Sequence, residues 1–166
     1  MTMRTLIIGI GNPIRGDDGL GWEAIRQLSQ QIDDPQVELL TCQQLTMDLI
    51  EYLERVDCVY FIDARIGEPA GELKYFPIEP DTCLQTAVSH FFDPRNLMAA
   101  AQALYGHHPV GGLFSVNAHS FDFTEELTPP VQAALPGLVA AVRAALEGNP
   151  LEGLASPNLM VTAWGC

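Results

Sequence analysis

The stretch TLIIGIGNPIRGDDGLGWEAI, residues 5–25, contains the pattern that decides the fold. It opens with a short apolar run over residues 5–10, which is typical of a buried strand. Glycine, asparagine and proline then interrupt the run and predict a loop over residues 11–16. Asp17 and Asp18 end that loop and open an amphipathic helix. We therefore expect a strand, a glycine loop, an acidic pair and a helix, in that order.

The loop departs from both of the common nucleotide-binding motifs. The GxGxxG fingerprint requires a third glycine where Ile14 stands, and the phosphate loop requires a Lys and a hydroxyl residue where Asp17 and Asp18 stand. Adjacent carboxylates repel a phosphate and suit a cation instead. A competing interpretation is that one of these aspartates only caps the helix and complements its dipole.

Composition indicates one globular domain. The chain has 166 residues, of which 48% are hydrophobic and 17% charged, enough for a real core. We predict a single domain over residues 1–166, with residues 149–166 as a tail or a loosely docked segment. The net charge of −13 argues against nucleic acid or an anionic membrane as a partner. No stretch approaches the roughly 20 apolar residues that a membrane-spanning helix needs.

The cysteines give no sign of a disulfide framework or a zinc site. They contain no CxxC pair and are widely scattered, at Cys42, Cys58, Cys83 and Cys166. Residues 1–4 lack the organisation of a signal peptide. We therefore predict a cytoplasmic protein whose thiols are small buried groups or incidental ones.

The rest of the chain alternates between strand and helix patterns. Strands are predicted over residues 36–41, 57–64, 72–76 and 113–118, and helices begin after Thr46, Asp93 and Thr128. The 72–76 strand is expected at the sheet edge, beside the third strand. Because strands and helices alternate, we predict an α/β/α sandwich with a largely parallel sheet.

Two detailed expectations concern the later helices. Leu97, Ala101 and Leu104 are spaced to line the core face of the helix that begins after Asp93. Pro136 lies inside the apolar stripe of the last helix, and we expect it to kink that helix.

Three residues suggest a site at the carboxyl ends of the strands. Asp18 follows the first strand and Asp63 ends the third, so the two carboxylates reach one crevice if those strands are neighbours. With His90, which precedes a helix, they make an open site for a divalent transition ion. Competing interpretations make Asp63 a turn-capping residue and His90 a loop residue with local hydrogen bonds. His107 and His108 are expected to be solvated.

The opening motif resembles the signature of the hydrogenase maturation proteases, endopeptidases that process the large subunit of nickel–iron hydrogenases. The resemblance rests on GIGN at 9–12 and DDGLG at 17–21. Further similar segments follow in the same order: FIDA at 61–64, SH at 89–90, LYG at 104–106 and SFDF at 120–123. In all, the resemblance covers about residues 4–147.

That resemblance implies a fold, an activity and a set of site residues. The fold would be a five-stranded α/β/α sandwich of the phosphorylase/hydrolase-like kind. The activity would be removal of a C-terminal extension from the hydrogenase large-subunit precursor after nickel insertion. The metal contacts would fall on Asp18, Asp63 and His90, with the nickel supplied by the precursor and no nucleotide required. Where some members carry a glycine pair after the second strand, this chain has CQQL at 42–45.

The sequence favours metal-assisted peptide hydrolysis over other protease chemistries. It contains no apparent Ser/His/Asp triad, no cysteine paired with a histidine by a motif, and no HExxH helix. Asp18 or Asp63, or the metal as a Lewis acid, would activate or position the attacking water, and the sequence leaves that choice open. The alternative function is a non-proteolytic nickel- or nucleotide-binding accessory protein of metalloenzyme assembly.

Overall fold

The computed structural model describes residues 3–80, 93–151 and 153–154. The elements in these ranges are, in chain order, β1 (Thr5–Ile10), α1 (Leu20–Gln31), β2 (Val37–Cys42), α2 (Ile50–Glu54), β3 (Cys58–Ile66), β4 (Leu73–Ile78), α3 (Pro94–Tyr105), β5 (Val110–Ala118) and α4 (Pro129–Leu146). Short 3-10 turns, Gly16–Gly19 and Met47–Leu49, lead into α1 and α2.

The strands form one sheet in the order β2-β1-β3-β5-β4. Four of them are parallel, and β4 runs antiparallel to β5. Alternate residues of β1 enter different cores: Ile7 packs with α1 and α4, whereas Leu6 and Ile8 pack with α2 and α3. This explains why the run is continuously apolar, since a central parallel strand is covered on both faces. The predicted three-layer α/β/α sandwich is confirmed.

The predicted position of the fourth strand is wrong. β4 pairs with β5, with Tyr75 opposite Phe114, and not with β3. Both edges of β3 are already occupied, by β1 on one side and by β5 along its whole length on the other. β4 therefore occupies the sheet edge beyond β5, in the direction opposite to the other strands.

The core face of α3 also differs from the prediction at one residue. Leu97 and Ala101 are fully buried, but Leu104 is 64% exposed. The buried face consists of Pro94, Leu97, Met98 and Ala101, and the next residue on that face by helical spacing is Tyr105, which packs against the core. Leu104 lies one position to the side of this stripe.

The last helix behaves as its apolar stripe predicts. Val131, Leu135, Leu138 and Val142 are fully buried, and the helix continues across Pro136. The kink expected there stays a prediction. The sequence analysis expected no stretch that approaches a membrane-spanning helix, but α4 is, by length and composition alone, apolar enough to cross a membrane. Its stripe packs in the core with α1 and the sheet, which accounts for its apolar character.

Part of the predicted tail docks on the domain. Leu151 and Leu154 pack against the core formed by α1 and α4. The carbonyl oxygen of Leu154 accepts a hydrogen bond of 2.8 Å from the backbone N–H of Tyr75 in β4. Residue 152 and residues 155–166 lie outside the described residues.

Two glycines allow α1 to lie directly on the ends of β1 and β3. A Cβ added to Gly9 in β1 would lie 2.2 Å from the carbonyl oxygen of Gly21 in α1. A Cβ on Gly21 would lie 2.6 Å from the backbone nitrogen of Ile10 and 2.9 Å from the oxygen of Ile62. These distances leave no room for a side chain, so both positions require glycine for packing.

This contact predicts opposite effects for two glycine-to-alanine changes within helices. Gly21→Ala should destabilise the protein by about 1–3 kcal/mol or more, because the new methyl group meets backbone that cannot move aside. Gly137→Ala in α4 should stabilise it by about 0.5–1 kcal/mol, because its Cβ would meet nothing within 4 Å and alanine favours the helix. Urea unfolding of both variants measures the difference. Equal changes in the free energy of unfolding would contradict the packing argument.

Candidate active site at the carboxyl ends of β1 and β3

The glycine loop uses its backbone donors within the protein. Apart from Pro13, which has no N–H, each residue from 11 to 18 donates its N–H to a protein acceptor. For example, Gly11 donates to the carbonyl of Cys42 at 2.9 Å, and Gly16 donates to that of Thr124 at 2.8 Å. A phosphate loop leaves such donors pointing at its ligand. This loop is therefore not built as a phosphate cradle.

Asp18 closes this loop from the inside. Its Oδ2 accepts a hydrogen bond of 2.9 Å from the backbone N–H of Asn12. Gly11, at φ +139°, permits the approach, because a Cβ there would lie 1.9 Å from the backbone oxygen of Asp18. Asp18 is not the helix cap of the competing interpretation: the N-cap residue is Arg15 for the 3-10 turn and Gly19 for α1, and neither cap is made by a side chain.

Asp17 is the buried anchor of the site. Its side chain is fully buried, and it accepts hydrogen bonds from three backbone N–H groups. Oδ2 accepts from His119 at 2.8 Å and from Ser120 at 3.1 Å, and Oδ1 accepts from Thr128 at 2.7 Å. The Thr128 hydroxyl donates to the same carboxylate at 2.8–3.0 Å. One side chain thus joins the glycine loop, the loop after β5 and the start of α4.

These bonds set the charge state of Asp17. Burial alone would raise its pKa, but the hydrogen bonds from Thr128, His119 and Ser120 outweigh burial and hold the pKa below its usual range. Asp17 is therefore an ionised acceptor at neutral pH. Because its oxygens are occupied by the protein, it differs in role from its neighbour Asp18.

Asp63 lies where the pairing of β3 with β1 stops. The last aligned pair between the two strands is Gly9 with Ile62, so Asp63 is the first residue of β3 beyond this pairing. The sequence predicted that Asp63 would end the strand, but β3 continues to Ile66 because β5 pairs with it that far. The Asp63 Oδ1 accepts a hydrogen bond of 2.8 Å from the N–H of Ala64.

The surroundings of Asp63 raise its proton affinity. Burial, followed by repulsion from the Asp18 carboxylate, raises the pKa of Asp63 to about 7. The N–H of Ala64 and the charge of Arg65 oppose this rise. The first and third strands are neighbours, which was the condition for the two carboxylates to share a crevice, and Asp18 acts electrostatically on Asp63. A partly protonated carboxyl beside a second carboxylate can act as an acid or a base near neutral pH.

The third predicted metal ligand, His90, lies outside the described residues. Within residues 3–80, 93–151 and 153–154, no group of three or more His, Cys, Asp or Glu side chains is arranged to hold a metal ion. The assignment of Asp18, Asp63 and His90 as metal ligands thus stays a prediction.

Cys42 and the other described histidines do not form a nucleophilic pair. Burial, and then the charges of Asp63 and Asp48, raise the pKa of the Cys42 thiol to about 11, so it is protonated at neutral pH. His107 and His108 precede β5 and therefore lie near the amino end of that strand, whereas Asp63 lies toward the carboxyl end of β3. His119 follows the carboxyl end of β5, on the same side of the sheet as Asp63, and its backbone N–H donates a hydrogen bond to Asp17.

Solved structures of hydrogenase maturation proteases share the fold of this chain. The chain superposes on a [NiFe] hydrogenase maturation protease, HycI, from Thermococcus kodakarensis KOD1 with a TM-score of 0.69 and 26% identity, covering 87% of this chain and 93% of that one. A hydrogenase 2 maturation peptidase from Thaumarchaeota archaeon SCGC_AB-539-E09 gives 0.67 and 27%, covering 87% and 98%. The chain is thus similar, over most of its length, to solved hydrogenase maturation proteases.

A third structure, the hydrogenase maturating endopeptidase HybD from E. coli, has the same fold. Its TM-score is 0.72 at 24% identity, and the match covers 88% of this chain and 93% of that chain. No family model matches the chain, and no curated protein matches it. The likeness thus rests on the solved maturation proteases, together with the resemblance of the opening motif.

The role of Asp17 was not found from the sequence. Asp17 and Thr128 are 111 positions apart, and no local pattern connects them. The only sequence signal is indirect: adjacent residues at the start of a helix point in different directions, so the two aspartates face different surroundings. The fold assigns Asp17 to the scaffold and leaves Asp18 for the crevice.

The division of roles predicts different effects for the same substitution at adjacent positions. Asp17→Asn should destabilise the protein by about 3 kcal/mol, because a carboxamide has one acceptor oxygen and turns its N–H₂ toward buried donors. Asp18→Asn should change stability by less than about 1 kcal/mol, since its remaining oxygen still serves Asn12. Urea unfolding near pH 7 measures both changes. The Asp17 effect should shrink as the pH falls through the lowered pKa of Asp17, where the wild-type carboxylate becomes protonated.

The raised pKa of Asp63 predicts that this carboxylate opposes folding at neutral pH. A folded-state pKa of about 7, against 3.8 for the free side chain, means that the native state holds the proton more tightly. Stability should therefore fall as the pH rises from about 4 to 7. Asp63→Asn should be more stable than the wild type by on the order of 4 kcal/mol near pH 8, and no more stable near pH 4.

A side-chain titration tests the proximity of the two carboxylates directly. Carbon-13 NMR of the Asp63 carboxyl, with a chelator present, should give a lower pKa in Asp18→Asn than in the wild type, because the repulsive charge is removed. An Asp63 pKa near 4 in the wild type would contradict the predicted site geometry.

Proposed function

We propose that this chain is an endopeptidase that removes the C-terminal extension of a nickel–iron hydrogenase large-subunit precursor after nickel insertion. The observation that carries the proposal is the similarity to maturation proteases over nearly the whole chain. The proposed partner is the precursor, and the proposed compartment is the cytoplasm, where metal insertion would precede processing.

The carboxylate pair supplies the chemistry that this activity needs. Burial, followed by repulsion from the Asp18 carboxylate, raises the pKa of Asp63 to about 7, so Asp63 exchanges a proton near neutral pH. A carboxylate in this state can take a proton from an attacking water and return it to the leaving amine. We assign this exchange to Asp63 and the positioning of the water or the metal to Asp18.

The nickel would act as part of the substrate. A cation held by the precursor and brought to Asp18, Asp63 and His90 would cancel the repulsion between the two carboxylates. It would also lower the pKa of Asp63, so that the base becomes ionised when a loaded precursor is bound. In a precursor without nickel, Asp63 would stay partly protonated and the scissile bond would lack one positioning contact. The C-terminal extension would therefore be cleaved only after the metal has been inserted into the precursor.

The structure argues against the nucleotide form of the alternative function. The N–H groups of the glycine loop, such as those of Gly11, Asn12 and Gly16, are bonded within the protein. A nickel-binding accessory protein without peptidase activity remains the second candidate, and it predicts binding without cleavage.

Processing of purified precursor separates these functions. Enzyme stripped with a chelator, and then freed of it, should cleave nickel-loaded precursor and leave nickel-free precursor intact, as measured by mass spectrometry of the large subunit. Asp18→Asn and His90→Ala should lower the cleavage rate by about 100-fold or more, because misplacing reacting groups by about 1 Å has an effect of that order.

The matched controls are His107→Ala and His108→Ala. These residues precede β5, at the end of the strands away from Asp63, so both variants should cleave the precursor normally. Binding of loaded precursor without cleavage would favour the accessory protein. A stripped enzyme that regains activity only when zinc is added would show a resident catalytic metal and contradict recognition of the substrate's nickel.

A further inference from the structure

A groove beside the glycine loop has no role in the site described above. It has a volume of about 730 Å³, within the range of protein ligand sites, roughly 300–1,000 Å³. It lies between α1 and the segment that leads into α4. Trp22, Ile25 and Leu127 line it with apolar surface, and Pro13 and Gly19 of the loop region form its end toward Asp18.

The polar lining of this groove is predominantly acidic. Glu23, Glu125 and Glu126 contribute carboxylates, and Arg26 contributes the one cation. Arg26 is already engaged, since its Nε donates to Glu23 Oε2 at 2.9 Å and its Nη2 forms an ion pair with the same carboxylate. Among the described residues, neither Glu125 nor Glu126 makes an ion pair. The groove thus has two uncompensated carboxylates above an apolar floor.

The groove is structurally continuous with the candidate active site. Thr124, which directly precedes the acidic wall, donates its N–H to the carbonyl of Ile14 at 3.1 Å and accepts from the N–H of Gly16 at 2.8 Å. These two bonds join the wall to the loop that carries Asp18. On the opposite wall, Trp22 Nε1 donates to the carbonyl of Cys42 at 3.2 Å, which fixes the indole. A chain segment in the groove would therefore enter or leave beside Asp18.

We propose that this groove binds a segment of the precursor polypeptide that combines a Lys or Arg with apolar side chains. The proposal rests on the proposed function and names the chemistry of the segment that is held. The apolar floor would take the apolar side chains, and Glu125 and Glu126 would pair with the basic group at the open side. Charge complementarity selects this occupant, because an acidic segment would be repelled by the same two carboxylates.

The chain's own C-terminal segment fits the groove less well. Residues 155–166 contain no Lys or Arg. The last described residue, Leu154, lies beside β4, at the far side of the sheet from β1 and β2. The segment bound in the groove therefore comes from another polypeptide.

A direct binding experiment tests the groove without requiring catalysis. The probe is the peptide acetyl-Ala-Leu-Lys-Ala-Leu-Arg-Ala-amide, compared with a neutral twin that carries norleucine and citrulline at the two basic positions. Calorimetry should show binding of the basic peptide to the wild type. The double variant Glu125→Gln/Glu126→Gln should bind it about 2- to 30-fold more weakly, as expected for the loss of two ion pairs at an accessible surface. Raising the salt to about 0.3 M should also weaken wild-type binding.

The matched control is Glu51→Gln/Glu54→Gln on α2, which makes the same charge change on the other face of the sheet. It should bind the basic peptide like the wild type. Equal binding by the groove and control variants, or no preference of the wild type for the basic peptide, would overturn the proposal. Concentration-dependent dimerisation that the groove variant abolishes, without peptide binding, would assign the groove to a second copy of this chain and overturn it as well.

Kinetics of precursor processing then distinguish a role of the groove in substrate binding from a role in catalysis. The groove variant should raise KM for nickel-loaded precursor about 2- to 30-fold and leave kcat unchanged, because it touches only binding. A loss of kcat with unchanged KM would contradict a binding role. If the wild type fails to process the precursor at all, the proposed function is wrong, and the peptide titration still decides whether the groove binds basic segments.

Discussion

The site depends on one buried ionised carboxylate, Asp17. An isolated charge inside a protein is strongly unfavourable unless hydrogen bonds replace the lost hydration. Here three backbone N–H groups and a hydroxyl provide them, and the donors come from two segments more than 100 residues along the chain from Asp17. The requirement is mutual, since those buried donors need an acceptor. The glycine loop therefore has its position fixed by a long-range polar contact.

With the loop fixed, the glycines determine how close the reactive groups come. Gly9 and Gly21 let α1 rest on the strand ends, and Gly11 lets Asp18 fold onto the loop. Asp18 is thereby held near Asp63, although the two carboxylates repel each other. The same motif thus contains Asp17, which favours folding, and Asp18, which is the aspartate assigned to the proposed chemistry.

The sequence predicted the parts of this structure that local patterns encode. The apolar run of β1, the stripes of α1 and α4, and the alternation of strands with helices led to the correct sandwich. The partner of β4 was predicted incorrectly. The position of an edge strand depends on which other strand has an unpaired side, and that is decided by the arrangement of the whole sheet. Leu104 was misplaced because a one-position error in phase rotates a residue by about 100° around the helix.

For the candidate site, the sequence indicated the crevice but not the different roles of the adjacent residues Asp17 and Asp18. Asp18 and Asp63 were placed in one crevice on the condition that β1 and β3 are neighbours, and the two strands do pair. Asp17 could not be distinguished from Asp18, because the partner Thr128 is distant in sequence. The groove along α1 was missed for the same reason: Trp22 and Glu125 acquire a common surface only after folding.

The outer edge of β4 affects how molecules of this protein meet one another. An edge strand normally presents unpaired backbone donors that can add a strand from a neighbouring chain. In β4, the N–H of Tyr75 is taken by the carbonyl of Leu154. Two residues later, on the same side of the strand, Pro77 has no N–H to offer. The outer edge of β4 therefore resists pairing with the sheet of another molecule. The sheet can keep this edge strand without a neighbouring strand, on the side away from the proposed active site.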